Sequence, residues 1–237
     1  MKFLAFFAPL LLLTTGGASA SALQNRTYSV TDFDRIRVIG PFIVDLTTGK
    51  SASAKASGSN QAIDRIEINV QGRMLIVRAN SSAWGGWPGK TAEAAHIAIT
   101  VPMVRAASVE GSGSLNINRL SGLRVALGVT GAGSLNVAKL DADQLDMTLE
   151  GGGNARLAGT ARTAIVSGRG SASLDAKALV ISDLNLHWQS AGNADFFVKR
   201  SAKGSGAGAG NVTILGKPAC AITAGGVGLV TCGASNQ

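Results

Sequence analysis

The sequence is poor in aromatic and charged residues, which make up only 5% and 15% of its 237 positions. It contains only two histidines and two cysteines, so it offers few ligands for a metal site. His96 and His187 lie in separate segments without a cysteine or an acid at ligand spacing, which favours positions on strand faces. The low charge is combined with 46% hydrophobic residues, which excludes an intrinsically disordered chain. The 31 glycines follow no Gly-X-Y period, which excludes collagen.

The first 20 residues have the composition of a signal peptide. Lys2 supplies a positive charge, residues 3–13 are apolar, and Ala18-Ser19-Ala20 matches the small-x-small cleavage site. The apolar run is shorter than the roughly 20 residues that cross a bilayer, which disfavours the alternative of an N-terminal membrane anchor. No later segment of the sequence is long and apolar enough to span a membrane. We therefore expect an exported chain that is periplasmic, secreted or on the cell surface.

Export gives a meaning to the two cysteines, Cys220 and Cys232. An even number of cysteines in an oxidising compartment predicts a disulfide. A redox-active pair is the alternative, but the cysteines lack the Cys-x-x-Cys spacing. We expect the bridge to join the final coil to the one before it.

The formal net charge of +8 favours an anionic neighbour, such as an acidic polysaccharide or another envelope component. The charges are scattered singly along the sequence, so general solubility explains them equally well. No cofactor and no nucleic-acid partner is expected, and the oligomeric state is left open.

A repeated Gly-x-Gly pattern occupies the second half of the sequence. Glycine adopts positive φ without steric penalty, so such a pair suits a corner that recurs in every coil. The small Ser or Asn after many of these pairs is expected to stack and hydrogen-bond along the corner. Aligned on the second glycine, the predicted corners are Gly113, Gly133, Gly153, Gly170, Gly192, Gly210 and Gly228.

Each corner is followed by alternating apolar residues, which is typical of a strand. A second alternation precedes several corners, over 123–129, 145–149 and 184–188, whereas the register over 198–208 is irregular. One such unit cannot bury its apolar side, but stacked units can. The repeat therefore predicts an all-β parallel β-helix with about 20 residues per coil. The predicted interior pairs are Leu115/Ile117, Leu135/Val137, Ala155/Leu157, Ala172/Leu174, Ala194/Phe196, Val212/Ile214 and Val230/Cys232.

The remaining sequence is strand-like but less regular. Apolar alternation is visible over 33–49, 65–70 and 96–101, and no convincing amphipathic helix follows the signal peptide, although 51–64 has a weak helical pattern. We therefore divide the chain into a signal peptide (1–20), a lead segment (21–32) and a single β-helix domain (33–237). Within that domain, less regular coils cover 33–109 and Gly-x-Gly coils cover 110–237.

These motifs, taken in order, resemble those of one protein family, the putative auto-transporter adhesin, head GIN domain family. The resemblance covers nearly the whole mature chain, from about Phe33 to Cys232, and departs from the pattern at Ala191 and in the irregular unit. It implies a right-handed parallel β-helix in an exported bacterial protein, without catalytic residues to assign. The matching motifs are Phe33, Ile36, Val38, Gly40, Val44, Leu46, Gly49, Leu75-Ile76, Val101-Pro102, the Gly-x-Gly corners and Gly216-Lys217-Pro218.

Two groups of residues are candidates for chemistry. Asp141, Asp143 and Asp146 form the densest acidic cluster, and such a trio on a β-helix could hold calcium for a polysaccharide lyase. A solvated bend is the favoured interpretation, because no second acidic group recurs one coil away. Trp84 and Trp87 could stack on sugar rings, although capping of the coil is favoured for both.

The sequence as a whole predicts a non-enzymatic adhesion or interaction module of the bacterial envelope. A carbohydrate-active enzyme and a purely structural envelope component are the alternatives.

Overall fold

The computed structural model describes residues 24–80 and 95–234. The predicted signal peptide, Trp84 and Trp87 lie outside the described residues. The strands are β1 (Gln24–Tyr28), β2 (Arg35–Ile39), β3 (Ile43–Thr48), β4 (Ser53–Gly58), β5 (Ile66–Gln71), β6 (Met74–Ala79), β7 (His96–Val101), β8 (Ala106–Gly111), β9 (Ser114–Ile117), β10 (Leu120–Gly131), β11 (Ser134–Gly151), β12 (Asn154–Gly170), β13 (Ser173–Ser190), β14 (Ala194–Gly206), β15 (Val212–Gly216), β16 (Ala219–Ala224) and β17 (Val230–Ala234).

The predicted parallel β-helix is confirmed. Strand β11 makes a complete coil, and it pairs in parallel with β10 on one side and with β12 on the other. The same parallel pairing continues from β12 to β13 and from β13 to β14. The irregular register is also confirmed, because the β13–β14 pairing shifts between Ala176 and Val180 and again between Ile181 and Asp183.

The predicted interior residues lie in the core. Every pair from Leu115/Ile117 to Val212/Ile214 is at most 3% exposed, and the partly buried Val230 and Cys232 pack against the same core. Leu123, which the alternation places inward, is instead 80% exposed. Residues 121–124 are all exposed, so the two-residue alternation is interrupted there and begins again at Val125.

The corner is built from two columns of glycine with different roles. The first glycine supplies positive φ, with values of 99° at Gly111 and 101° at Gly131. The second lies too close to the neighbouring coil for a side chain, since a Cβ on Gly133 would come within 2.8 Å of the Gly113 carbonyl oxygen. Comparable Cβ contacts with a backbone carbonyl oxygen, 2.0 to 2.6 Å, exclude side chains at Gly113, Gly153, Gly192, Gly210 and Gly228.

The alignment of Gly170 with the second glycines is wrong by two residues, because Ala172 is the residue equivalent to Gly153. Gly170 pairs with Gly151 and has a φ of 90°, so it belongs to the first column. Its coil is one residue shorter than the preceding ones, and Ala172 takes the place that Gly153 occupies one coil earlier. Ala172 is therefore a corner residue. The interior row of its coil begins at Leu174, which stacks on Ala155.

The N-terminal coils do not stack in the order of the sequence. Strand β2 lies between β6 and β8, and β3 lies between β7 and β9, all in parallel. The carboxylate of Asp34, only 6% exposed, holds this arrangement together through Arg73 at 3.0 Å and Arg105 at 2.9 Å. These arginines precede β6 and β8, so one carboxylate connects three coils.

Antiparallel strands close the N-terminal end. Strand β4 pairs with β7, β1 pairs with β4, and β5 pairs with β6. The segment 51–64, which has a weak helical pattern, forms β4 and then one turn of helix, α1 (Asn60–Asp64). Ser59 is its N-cap, and its hydroxyl oxygen accepts a hydrogen bond from the Ala62 N–H. The expectation that no helix follows the signal peptide is therefore wrong, although the helix is only a single turn.

A disulfide between Cys220 and Cys232 lies at the C-terminal end, with 6.3 Å between the two Cα atoms. The expectation that it joins the last coil to the preceding one is confirmed when coils are counted from corner to corner. Strands β15 and β16 together form the coil that stacks on β14, and β17 begins the next coil above β15. Cys220 lies in β16 and pairs with Ala202, whereas Cys232 lies in β17 and pairs with Ile214. Since Ala202 and Ile214 point inward, the bridge crosses the interior and covers the end of the core.

Replacing both cysteines with alanine is expected to lower the free energy of unfolding by about 3 kcal/mol, because the bridge closes a short loop of the unfolded chain. Amide exchange should accelerate first in β16 and β17, since no further coil covers them in the part of the chain that the structure describes. Calorimetry and exchange of the oxidised chain and the variant test this. Uniform acceleration over all coils would contradict a local role.

Candidate functional site

A groove of about 420 Å³ lies on the outer surface of the strand segments that follow the glycine corner. It crosses four consecutive coils, those of β11, β12, β13 and β14. Alternation explains its polar lining: Leu135 and Val137 point into the core, so Ser134 and Asn136 face outward. The groove therefore presents the polar half of the same strands whose apolar half forms the core.

Two polar rows line the groove and run along the axis of the helix. The first consists of residues that directly follow the second corner position, namely Ser134, Asn154, Ser173 and Asn193. The second consists of outward residues two places further on, namely Asn136, Arg156, Asp175 and Asp195. Neighbours in each row belong to adjacent coils, which are spaced by about 4.8 Å in a parallel sheet.

The charged members of the second row are held by ion pairs. Arg156 lies 3.3 Å from Asp175, and Lys177 lies 3.3 Å from Asp195. Asp175 and Asp195 are direct neighbours in register. The two cations offset the repulsion between these carboxylates. The carboxylate oxygens that face solvent can still accept hydrogen bonds. The row thus combines amide, guanidinium and carboxylate groups on a rigid surface.

The predicted hydrogen bonding along the corner is confirmed at Asn193 and Asn211. The side-chain oxygen of Asn193 accepts a hydrogen bond of 2.9 Å from the Asn211 backbone N–H. The side-chain oxygen of Asn211 accepts one of 3.0 Å from the Leu229 N–H. Each asparagine therefore fixes the coil that follows it, and the first row of the groove is continuous with this ladder.

The acidic trio does not converge on one point. Asp141 accepts a hydrogen bond from the Thr160 hydroxyl, Asp143 pairs with Arg162 at 3.3 Å, and Asp146 accepts from the Gln144 amide. Within residues 24–80 and 95–234, no group of three His, Cys, Asp or Glu side chains is placed to hold a metal ion.

The fold collects basic residues that are scattered in the sequence. Arg119 and Lys139 occupy equivalent exposed positions, since the pairs on either side of them are in register, and Lys177 lies at the same bend two coils later. Lys199 and Lys217 are likewise equivalent. Arg119, Lys139, Lys199 and Lys217 form no ion pair with any described residue. These residues form two rows that are offset along the strands, because Lys199 lies opposite Ser182 rather than opposite Lys177. We call the two rows together, Arg119, Lys139, Lys177, Lys199 and Lys217, the basic strip.

In addition to Asp195, which pairs with Lys177, Asp183 lies near the basic strip. Hydrogen bonds from Arg200 and Ser201 lower the pKa of the Asp183 carboxyl to about 2. Asp183 therefore stays ionised at neutral pH and offsets the charge of Arg200, while the strip itself keeps its positive charge.

Sequence reasoning identified the core rows of these strands and missed the groove. The signal was present in the outward positions of the same alternating stretches, where Asn136, Arg156, Asp175 and Asp195 recur one coil apart. Recognising it requires the register between coils, and the register changes at the shorter coil that contains Gly170. The histidines have strand-face positions as expected: His96 lies near Asp45 and His187 contacts Ser205.

A family model described as putative auto-transporter adhesin, head GIN domain, matches residues 32–218. Several solved structures share the fold. A putative adhesin from Bacteroides fragilis NCTC 9343 is 22% identical, with a TM-score of 0.82, and the match covers 90% of this chain and 97% of that one. A putative adhesin from Parabacteroides distasonis ATCC 8503 is 18% identical, with a TM-score of 0.67 and coverage of 89% and 97%.

A third structure, also from Parabacteroides distasonis ATCC 8503, is described as a putative lipid binding protein. It is 17% identical, with a TM-score of 0.59 and coverage of 88% of this chain and 96% of that one. A comparison with curated protein sequences gives no match. In the parts of the chain that the structure covers, no helix has the length and hydrophobicity needed to cross a bilayer.

Proposed function

The chain belongs to the putative auto-transporter adhesin, head GIN domain family, and from this premise we propose that it is an exported, non-enzymatic adhesion module that binds polysaccharide in its groove. The observation that carries the proposal is the pair of polar rows across four coils. Sugars offer hydroxyl groups at regular intervals, and amide, hydroxyl and carboxylate groups on a fixed scaffold match them as donors and acceptors. A preformed surface also avoids the entropic cost of ordering a loop on binding.

The chemistry of the groove favours binding over catalysis. A glycoside hydrolase needs one carboxyl group to donate a proton and a second to act as a base or nucleophile. The neighbouring Asp175 and Asp195 are instead both ion-paired, with Arg156 and Lys177. The trio Asp141, Asp143 and Asp146, which a lyase would use, is divided among three separate partners. These arrangements support a module that holds its ligand unchanged.

The basic strip supports a second candidate ligand, an acidic polysaccharide that lies along the helix axis. Four of its five cations lack an ion pair among the described residues, so they can bind carboxylate or sulfate groups without first breaking an internal contact. Such binding would weaken as salt rises, because exposed charges are screened over about 10 Å at 0.1 M ionic strength. Binding in the groove would depend on salt much less.

A glycan array probed with the mature chain tests the proposal. The variant Asn136→Ala/Arg156→Ala is expected to lose at least about tenfold in affinity for a groove ligand, because it removes one neutral and one charged hydrogen-bonding group. The matched control is Thr130→Ala/Arg169→Ala, which removes the same kinds of group from exposed positions outside the groove.

The outcomes separate the two ligands. Equal binding by both double variants would contradict the groove as the site. Binding that is confined to acidic glycans, falls steeply with salt and disappears in Arg119→Glu/Lys139→Glu would assign the ligand to the basic strip instead. Turnover of a polysaccharide that is lost in Asp175→Asn would contradict the non-enzymatic assignment.

A further inference from the structure

One aromatic side chain, that of Phe197, lies on the outer surface of the β-helix. It is partly exposed and lies outside the core cluster. The other aromatic residues that the structure describes are buried or pack against the core, namely Tyr28, Phe33, Phe42, Trp188 and Phe196. A ring that the fold does not use in its core is available to contact a ligand.

Phe197 continues the second polar row of the groove along strand β14. Phe196 and Val198 are fully buried, so alternation turns Asp195 and Phe197 to the same outer face. Asp195 lines the groove, and Phe197 follows it two residues later, about 7 Å along the strand. The ring therefore lies directly beyond the groove rather than on a separate surface.

Phe197 is the centre of a short apolar row across three coils. It pairs with Val180 of the coil before it and with Leu215 of the coil after it, and both are partly exposed. We call Val180, Phe197 and Leu215 the apolar row. The equivalent residues of the earlier coils are polar, namely Ser121, Asp141 and Thr160. The outer surface thus changes from polar to apolar beside the β13 and β14 part of the groove.

The charges of the groove are balanced beside the apolar row. Asp175 pairs with Arg156 and Asp195 pairs with Lys177, each at 3.3 Å. A neutral ligand leaves these ion pairs intact, whereas a charged group between them would compete with one member of a pair. The unpaired lysines Lys199 and Lys217 follow the apolar row on the side away from the groove.

We propose that the apolar row is a sugar subsite at the end of the groove, and that the groove takes a neutral, β-linked polysaccharide whose rings stack on Phe197. The subsite rests on the proposed function, because the same ligand must occupy the groove. A pyranose with every hydroxyl group in the ring plane has a polar rim and an apolar C–H face. The polar rows match the rim, and the flat ring of Phe197 matches the face.

The shape of the scaffold favours the β linkage. A β-linked chain of such sugars is an extended, flat ribbon that can lie on a sheet, whereas an α-linked chain of the same sugars curves away from it. Because the strands already hold the polar rows and the apolar row in place, a flat ligand binds without ordering a loop.

Isothermal titration calorimetry of the mature chain with three soluble hexasaccharides tests the ligand class. Cellohexaose is extended and carries every hydroxyl group in the ring plane. Maltohexaose contains the same sugars in a curved chain, and mannohexaose is extended but has an axial hydroxyl group on each ring. Cellohexaose is expected to bind at least about fivefold more tightly than either of the others. Equal or tighter binding of maltohexaose or mannohexaose would overturn the proposal, as would the binding of none of the three.

Substitutions of Phe197 test the subsite itself. Phe197→Ala is expected to weaken the binding of cellohexaose about tenfold, whereas Phe197→Tyr, which keeps the ring, should stay within about twofold of the wild type. The matched control is Ile165→Ala, which truncates an apolar side chain that is 43% exposed on the strand segment before the corner, outside the groove. It should leave the affinity unchanged. The melting temperature of each variant without ligand shows whether the chain remains folded.

The variants also separate the subsite from the groove. Loss of cellohexaose binding in Asn136→Ala/Arg156→Ala, with full binding by Phe197→Ala, would keep the groove and overturn the subsite. Full binding by both variants would contradict the subsite and the groove together. Sedimentation of the chain with phosphatidylglycerol vesicles that is lost in Phe197→Ala, while cellohexaose binding is unchanged, would assign the apolar row to an anionic lipid surface instead.

Discussion

Leu135→Asp is expected to lower the free energy of unfolding by about 4 kcal/mol or more and the melting temperature by about 10 °C. Leu135 is 1% exposed and stacks between Leu115 and Ala155 of the neighbouring coils. The substitution removes buried apolar contacts and places a carboxylate where no cation can reach it. Thermal and denaturant unfolding, followed by circular dichroism, measure the loss.

The neighbouring residue supplies the control. Asn136→Asp introduces the same carboxylate one position later, where the side chain faces outward into solvent. It is expected to change stability by less than about 0.5 kcal/mol, as is usual at exposed sites. Similar losses in Leu135→Asp and Asn136→Asp would contradict the inward and outward assignment of this strand.

Gly168→Ala is expected to destabilise the chain by about 3 kcal/mol, although it adds a single methyl group. Trp188 lies one coil further on and is fully buried, and its ring covers Gly168. A Cβ on Gly168 would lie 2.2 Å from the Trp188 ring atom Cζ3. The ring cannot move aside easily, because its indole N–H donates a 2.9 Å hydrogen bond to the Gly192 carbonyl oxygen.

Two further variants isolate the cause. Gly128→Ala adds the same methyl group on an outward position, where the nearest atom is 3.6 Å away, and it should be close to neutral. In a Trp188→Leu background, Gly168→Ala should cost less than about 1 kcal/mol, because the ring that it meets is gone. Equal costs in both backgrounds would show that the backbone at Gly168, rather than the tryptophan, requires glycine.

The sequence permits prediction of the regular coils because their evidence is local and repeated. Each stretch such as Leu135/Val137 carries its own alternation, and the recurrence of Gly-x-Gly places successive stretches at the same point of the coil. The errors occur where a coil changes length. Gly170 follows a coil that is shorter by one residue, and Leu123 lies where alternation is interrupted, so counting along the sequence assigns both to the wrong place.

The N-terminal arrangement and the groove could not be read from the sequence for a different reason. Nothing in the residues of β2 indicates that β6 and β8 flank it, because this order depends on long-range pairing. Likewise, the groove exists only once Asn136, Arg156, Asp175 and Asp195 are stacked. The disulfide could be predicted in part. The cysteines predict that a bond forms, whereas only the coil geometry shows which strands it connects.

The placement of β2 and β3 between later strands has a consequence for the order of folding. Arg35 pairs with Met74 on one side and with Ala106 on the other, so its strand cannot acquire both neighbours until residue 106 is available. The regular coils require only contacts between residues about 20 positions apart, and short-range contacts form faster than long-range ones. We therefore expect the nucleus to form between β9 and β13. The N-terminal strands would then join last, with the Asp34 contacts to Arg73 and Arg105 forming only when assembly is complete.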